Sequence, residues 1–334
     1  MKKYNVAILG ATGAVGREML KVLEERDFPI GTLKCLASKR SVGKLIPFKN
    51  EQIAVEEATK DSFEGIDIVL GAASNALAKE LAPHIVKAGA VLIDNSSAFR
   101  MDDNVPLIVP EINAEDVKNH KGIISNPNCS TIITLVAINA LNKLSPIETV
   151  VASTYQAVSG AGAGGPVELM DQVEAIIDGK EVEANVFSHQ IAFNLIPKIG
   201  GCLENGYTAE EMKMQNEGRK IMHLPELLVS CTCIRVPVVR SHSISVVVKT
   251  KEKISVEDAK NIIATAPGCK LVDNLDQDIY PMPLDTSDQD LVYVGRIRED
   301  LTCDKGLNIW CCGDQVRKGA ATNAVQIAEL IAKQ

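Results

Sequence analysis

The chain has 334 residues, 46% hydrophobic and 23% charged, with a formal net charge of −8. At roughly 150 residues per domain this length suggests two domains, and the apolar fraction excludes a disordered chain. Net acidity without a basic run, and only 4% aromatic residues, exclude nucleic-acid binding by bulk charge or base stacking.

Residues 4–10 read as a short apolar strand ending in glycine, and residues 14–26 follow with Val15, Met19, Val22 and Leu23 at helical spacing. Strands are expected near 31–37, at 66–70, at 90–94 and at 122–125, with a helix near 76–88. Strand alternating with helix implies parallel strands and an open α/β sheet. An apolar helix is then expected from Ser130 to Leu144. After it the texture changes. Residues 147–158 and 230–249 are rich in Val, Thr and Ser, as in an antiparallel sheet, and helical patterns fall near 165–178, 208–221 and 255–264. This predicts a second, α+β domain with a largely antiparallel sheet. From Asp314 onward an Ala-rich helix is expected, with Val316, Ala320 and Val325 on one face, returning to the first domain. The predicted division is 1–128 with 313–334 against 129–312.

The N-terminal apolar run meets Arg17 and Glu18 too soon for an export signal, and Thr131 to Leu141 falls short of the ~20 residues that span a bilayer. The nine cysteines form no CxxC pair, so no zinc site is indicated; Cys231, Cys233, Cys311 and Cys312 read as reduced packing residues. A cytoplasmic protein without membrane or nucleic-acid partners, and without metal, is expected.

Gly10-Ala11-Thr12-Gly13-Ala14-Val15-Gly16 joins the first strand to the first helix. Glycines there permit a tight turn and let backbone N–H groups approach a pyrophosphate at the helix N-terminus. Glycine-rich turns also occur as plain structure; the strand–turn–helix setting favours a dinucleotide and a Rossmann-type domain. Past the second strand the chain reads Ala37-Ser38-Lys39-Arg40-Ser41. Cations and hydroxyls suit a 2′-phosphate, and no carboxylate is present to repel it, so NADP is favoured over NAD; a solvated basic turn is the alternative. None of the five tyrosines has a lysine four residues on, which excludes the short-chain dehydrogenase pairing.

Ser125-Asn126-Pro127-Asn128-Cys129-Ser130-Thr131 sets a cysteine after a short strand and at the start of an apolar helix. The thiolate is the reactive form, and a helix N-terminus favours it. Backbone amides at such a junction can hold an oxyanion. The other eight cysteines lack this setting, though a buried, inert cysteine would also fit it.

The blocks GATGAVG, ASKRS, DNSSAFRMD, VPEIN, SNPNCST, QAVSGAG, CIRVPVVRSHS and RKGAATNA occur in this order along nearly the whole chain. In them the chain resembles the bacterial aspartate-β-semialdehyde dehydrogenases. That resemblance implies NADPH-dependent reduction of L-aspartyl-β-phosphate to the semialdehyde and phosphate through a cysteine thioester. The step belongs to the aspartate pathway to lysine (through diaminopimelate), threonine, methionine and isoleucine. It implies Cys129 as nucleophile and His242 as acid/base group, the histidine taking the thiol proton and later returning one. Arg235 matches the residue gripping the substrate carboxylate, and Arg100 and Lys220 match phosphate ligands. Glu217 matches the ammonium acceptor, with Gln156 and Asn128 orienting the substrate. Glu217 and Lys220 would equally make an i,i+3 surface ion pair. Ser159, Gly160 and Gln315 match cofactor contacts. A homodimer built on the second domain is implied as well. N-acetyl-γ-glutamyl-phosphate reductase, another acyl-phosphate reductase of this plan, usually has Gly-Cys-Tyr at the cysteine, where this chain has Asn128-Cys129-Ser130. A malonyl-CoA reductase of the archaeal kind would use the same Cys129 and His242; its substrate has no amino group, so Glu217 speaks for the aspartyl substrate.

Overall fold

A computed structural model describes residues 2–333. The chain forms two compact units, one of residues up to Asn128 together with those from Ala320 on, the other Cys129–Gly319.

The first unit is a seven-stranded sheet. In chain order its strands are β1 (Tyr4–Leu9), β2 (Ile30–Ala37), β3 (Leu45–Phe48), β4 (Glu51–Glu57), β5 (Ile68–Gly71), β6 (Val91–Asp94) and β7 (Ile123–Ser125), and they lie in the order β3-β4-β2-β1-β5-β6-β7. All neighbours are parallel except β3 with β4. Alternation along β1 explains why both faces are covered. Val6 and Ile8 pack with Met19 and Leu23 of helix Ala14–Glu25 and with Val325 and Ile327 of the closing helix Thr322–Ala332. Ala7 and Leu9 pack on the opposite face with Leu81 and Ile85 of helix Asn75–Lys87.

Polar bonds tie the closing helix into this unit. Arg26 makes a two-pronged pair with Glu329 at 2.7 and 2.8 Å, and Asn323 Nδ2 donates to the Ile108 carbonyl. The helix begins at Thr322, later than its sequence pattern suggests. Before it, the Asp314 carboxylate accepts the N–H groups of Val316 and Arg317, and Arg317–Ala321 forms a wide π-type turn. The return to the first unit starts at Ala320, so residues 313–319 belong with the second.

The second unit is built on a six-stranded sheet: β8 (Ile147–Gln156), β9 (Leu228–Arg235), β10 (His242–Thr250), β11 (Cys269–Leu271), β12 (Val292–Glu299) and β13 (Gly306–Gly313), in the order β11-β12-β13-β10-β8-β9. The three inner pairings are antiparallel and the two outermost parallel. The stretch 230–249 is two strands rather than one continuous run, because Val236–Ser241 carries Pro237 and a left-handed Ser241 (φ +74°). Helix Cys129–Asn142 is buried almost all round, as its unbroken apolar sequence requires.

Candidate active site

In the first unit, the turn after β1 lies at the carboxyl edge of the parallel strands, where the order reverses from β2 on one side to β5 on the other. Gly10 has φ +90°, and a Cβ there would fall 2.4 Å from the Ala72 carbonyl oxygen; a Cβ on Gly16 would fall 2.3 Å from the Gly10 carbonyl oxygen. Only glycine fits either position. Helix Ala14–Glu25 begins after Gly13 with no side-chain cap and no acidic residue in its first turn, which suits an incoming anion. Ser38, Arg40 and Ser41 follow β2 on the same edge, in a short turn with Arg40 exposed and Ser41 buried. The cradle fits a nicotinamide dinucleotide. Arg100 belongs to this unit too, with Nε donating to the Asn126 carbonyl (3.0 Å) and Nη2 to that of Asn95 (2.9 Å). These bonds hold its guanidinium in a set orientation. Asn128, the last residue of this unit, is buried.

In the second unit, strand register assembles the site. Parallel β8 and β9 end with Gln156 opposite Arg235, and antiparallel β10 begins beside them at His242. Cys129, the first residue of its helix, has Sγ 3.5 Å from His242 Nε2. Gln156 Nε2 also lies 3.5 Å from that nitrogen. Arg235 Nη1 donates to the Ala157 carbonyl at 2.7 Å. A Cβ on Gly160 would lie 2.8 Å from Arg235 Nη1 and 3.1 Å from His242 Cε1, so the absence of a side chain there keeps the space above both groups open. A second glycine, Gly319, passes equally close to the thiol: its Cβ would lie 2.9 Å from Cys129 Cβ.

His242 is fully buried, and its Nδ1 accepts the Ala157 N–H at 3.0 Å. Burial, and secondarily the Arg235 charge, push its pKa well below the ordinary histidine value. Burial thus favours the neutral ring, and its Nε2 faces both the Cys129 sulfur and the Gln156 amide. Arg235 is itself lowered by burial, opposed by Cys129 and Glu210.

Gln315 uses its amide internally. Oε1 accepts the Ser241 N–H (2.9 Å) and Nε2 donates to the Ser159 hydroxyl, which in turn donates to the Val239 carbonyl (2.6 Å). It thus joins the Ser159–Gly160 loop to the strand carrying His242.

On helix Ala209–Ile221 the residue that reaches Gln156 is Glu210. Its Oε1 accepts from Gln156 Nε2 at 3.4 Å, and Oε2 pairs with Lys213 at 2.7 Å. A capping box between Thr208 and Glu211 fixes this helix start, and Glu211 also accepts the N–H of Cys233. Glu217 lies seven residues further along the helix axis, about 10 Å at 1.5 Å per residue. Glu217, buried, and Lys220 lie on the same helix face nearly two turns on, and Glu210 with Lys213 is a further pair, missed by sequence reasoning, that reaches Gln156.

A Rossmann-type sheet with a glycine cradle, and a thiol–imidazole pair on a separate α+β unit, define a dinucleotide-binding oxidoreductase. Residues 5–120 match the family model for the semialdehyde dehydrogenase NAD binding domain, and 138–318 that for the semialdehyde dehydrogenase dimerisation domain. The chain is 52% identical to aspartate-semialdehyde dehydrogenase of Aquifex aeolicus, covering 99% of this chain and 98% of the other, and 48% identical to that of Bacillus subtilis, covering 98% and 97%. The solved structure of aspartate semialdehyde dehydrogenase II complexed with ASA from Vibrio cholerae superposes with a TM-score of 0.98 at 44% identity, covering 100% and 99%. That of the Candida albicans enzyme with NADP gives 0.78 at 25% identity, covering 99% of each. The chain belongs to the aspartate-semialdehyde dehydrogenase family. Among the described residues no helix is long and apolar enough to cross a membrane.

Proposed function

We propose that this chain reduces L-aspartyl-β-phosphate to L-aspartate β-semialdehyde and phosphate with NADPH, reversibly, through a thioester on Cys129. The observation that carries this reading is the Cys129 thiol at a helix start, 3.5 Å from the Nε2 of a buried imidazole. His242 takes the thiol proton as the Cys129 sulfur attacks the acyl carbon; the C–S bond forms, the C–O bond to phosphate breaks, and phosphate leaves with the electron pair. A bound NADPH supplies the hydride that lowers the thioester to the aldehyde level. The hemithioacetal anion then collapses, returning the C–S pair to sulfur, and His242 gives back the proton it took. Arg235 takes the substrate carboxylate with its planar fork. Glu217 receives the ammonium, and Arg100 and Lys220 are phosphate ligands. NADP preference is supported by the cationic, carboxylate-free turn at Ser38–Ser41 and by the Candida albicans relative.

The place of the reaction is the aspartate pathway to lysine, threonine, methionine and isoleucine, in the cytoplasm, by a homodimer. Nine free cysteines suit a reducing compartment, and the match of the second unit to a dimerisation domain supports the dimer. The test is near-ultraviolet absorbance of the reduced nicotinamide, with semialdehyde and NADP⁺, with and without phosphate. Phosphate-dependent reduction, absent in Cys129→Ala although that variant still binds NADP⁺, is the expected result. No signal from protein that binds NADP⁺ rejects the substrate, and signal from Cys129→Ala rejects the nucleophile.

A further inference from the structure

We propose that Glu168 is a positioning residue that holds Phe187 against the guanidinium of Arg235 and so fixes the fork that takes the substrate. This rests on the carboxylate role given to Arg235 above. Glu168 lies in helix Gly164–Ile177 and is 7% exposed. Its carboxylate accepts from three successive backbone N–H groups: Asn185 at 2.8 Å, Val186, and Phe187 at 3.2 Å. One turn on, Gln172 donates to Glu168 Oε1 (3.3 Å) and to the Glu183 carbonyl (2.8 Å), while its Oε1 accepts from Ile191 (2.8 Å) and Ala192 (3.0 Å). These two buried side chains therefore bind a segment, residues 183–192, that has neither helix nor strand of its own. Backbone N–H groups converging on a carboxylate are charge-assisted and are the strongest local constraint such a segment has.

The consequence falls on Phe187. Its ring centroid stands 5.9 Å from the Arg235 guanidinium carbon, and its far edge is packed close enough to Gly165 that a Cβ there would meet Phe187 Cζ at 3.3 Å. The side-chain hydrogen bond of Arg235 runs from Nη1 to the Ala157 carbonyl. A single bond leaves the guanidinium plane free to turn about Nη1; a ring against it removes that freedom and takes the place of water beside the cation. The helix thus sets the loop, the loop sets the ring, and the ring sets the arginine.

Glu168→Gln replaces one acceptor oxygen with an amide donor facing N–H donors. In the full-length enzyme it should raise KM for the semialdehyde about tenfold and leave kcat within about threefold. Phe187→Ala should do the same, and the double variant should be no worse than either alone, because both act through one contact. Phe187→Leu, which keeps most of the apolar contact, should retain folding and still raise KM. Phenylglyoxal labelling of Arg235, followed by peptide mass spectrometry without substrate, should be faster in Glu168→Gln and in Phe187→Ala. Unchanged labelling, additive KM effects, or a loss confined to kcat overturns the proposal. Arg235→Lys measured alongside separates the two readings. If it raises KM while the Glu168 and Phe187 variants do not, the positioning role alone fails; if it leaves KM unchanged, the carboxylate role fails and the proposal with it.

Discussion

Gly319→Ala tests whether the placement of Cys129, apart from its identity, sets the rate. The added methyl would stand 2.9 Å from Cys129 Cβ and 3.2 Å from its Cα. Carbon atoms rest at about 3.5–4.0 Å, so the two backbones must part by something approaching 1 Å. Little can absorb the strain. The Gly319 N–H is held by the Asp314 carbonyl at 3.0 Å, and Cys129 opens a helix buried almost all round. The Sγ to Nε2 distance is already 3.5 Å, long enough that a further shift of this size breaks the contact. A misplacement of that order costs about a hundredfold in kcat, or about 2.7 kcal/mol of barrier. Overpacking adds a stability cost of about 1–3 kcal/mol. The assay is kcat and KM beside the iodoacetamide rate at Cys129 and the thermal midpoint. The expected result is a large fall in kcat and in alkylation rate with a modest fall in midpoint. A kcat within about threefold of the parent would refute the argument that the turn sets the thiol.

Glu217→Gln should raise KM for the semialdehyde by at least about tenfold; the same rise in Glu210→Gln with Glu217→Gln unchanged would pass the ammonium role to Glu210. Arg40→Asp should shift the NADP/NAD ratio of kcat/KM toward NAD, and an unchanged ratio would place the 2′-phosphate elsewhere. For His242 the sign of the pH effect follows from its depressed folded-state pKa. As pH falls through about 6.5 the unfolded chain binds a proton that the native ring refuses, so stability drops by up to about 1.4 kcal/mol per unit. The thermal midpoint of the parent should therefore fall more between pH 7 and pH 5 than that of His242→Gln. Parallel curves would show that the ring is not held neutral.

The parts legible in the sequence are those where one physical demand leaves few residue choices. β1 is covered on both faces and reads as an apolar run from Val6 to Leu9; Gly10 and Gly16 face carbonyls at distances no side chain tolerates. β3 and β4 escaped notice because they lie at the sheet edge, and only Ile46, Phe48 and Val55 of their residues are buried. β12 was hidden by a register shift between Gly295 and Arg298, with Arg296 in the left-handed region, which breaks its alternation. Helix Ala209–Ile221 shows a different limit. Glu210-x-x-Lys213 and Glu217-x-x-Lys220 repeat at seven residues, nearly two turns, so both pairs lie along one helix face. Periodicity brings out both pairs alike, and only the fold shows that Glu210 comes within reach of Gln156.

The closing helix completes a core begun by the first strand: Val325 and Ile327 share it with Val6 and Ile8, and Arg26 pairs with Glu329. Synthesis runs in one direction, so this has a consequence for the nascent chain. Until residues 322–332 are made, the sheet face carrying Val6 and Ile8 has helix Ala14–Glu25 but lacks the part of its cover that Val325 and Ile327 supply. The second unit has its whole sequence before then, whereas the first closes through contacts such as Arg26 with Glu329, 303 residues apart, and long-range closure of that kind is slow.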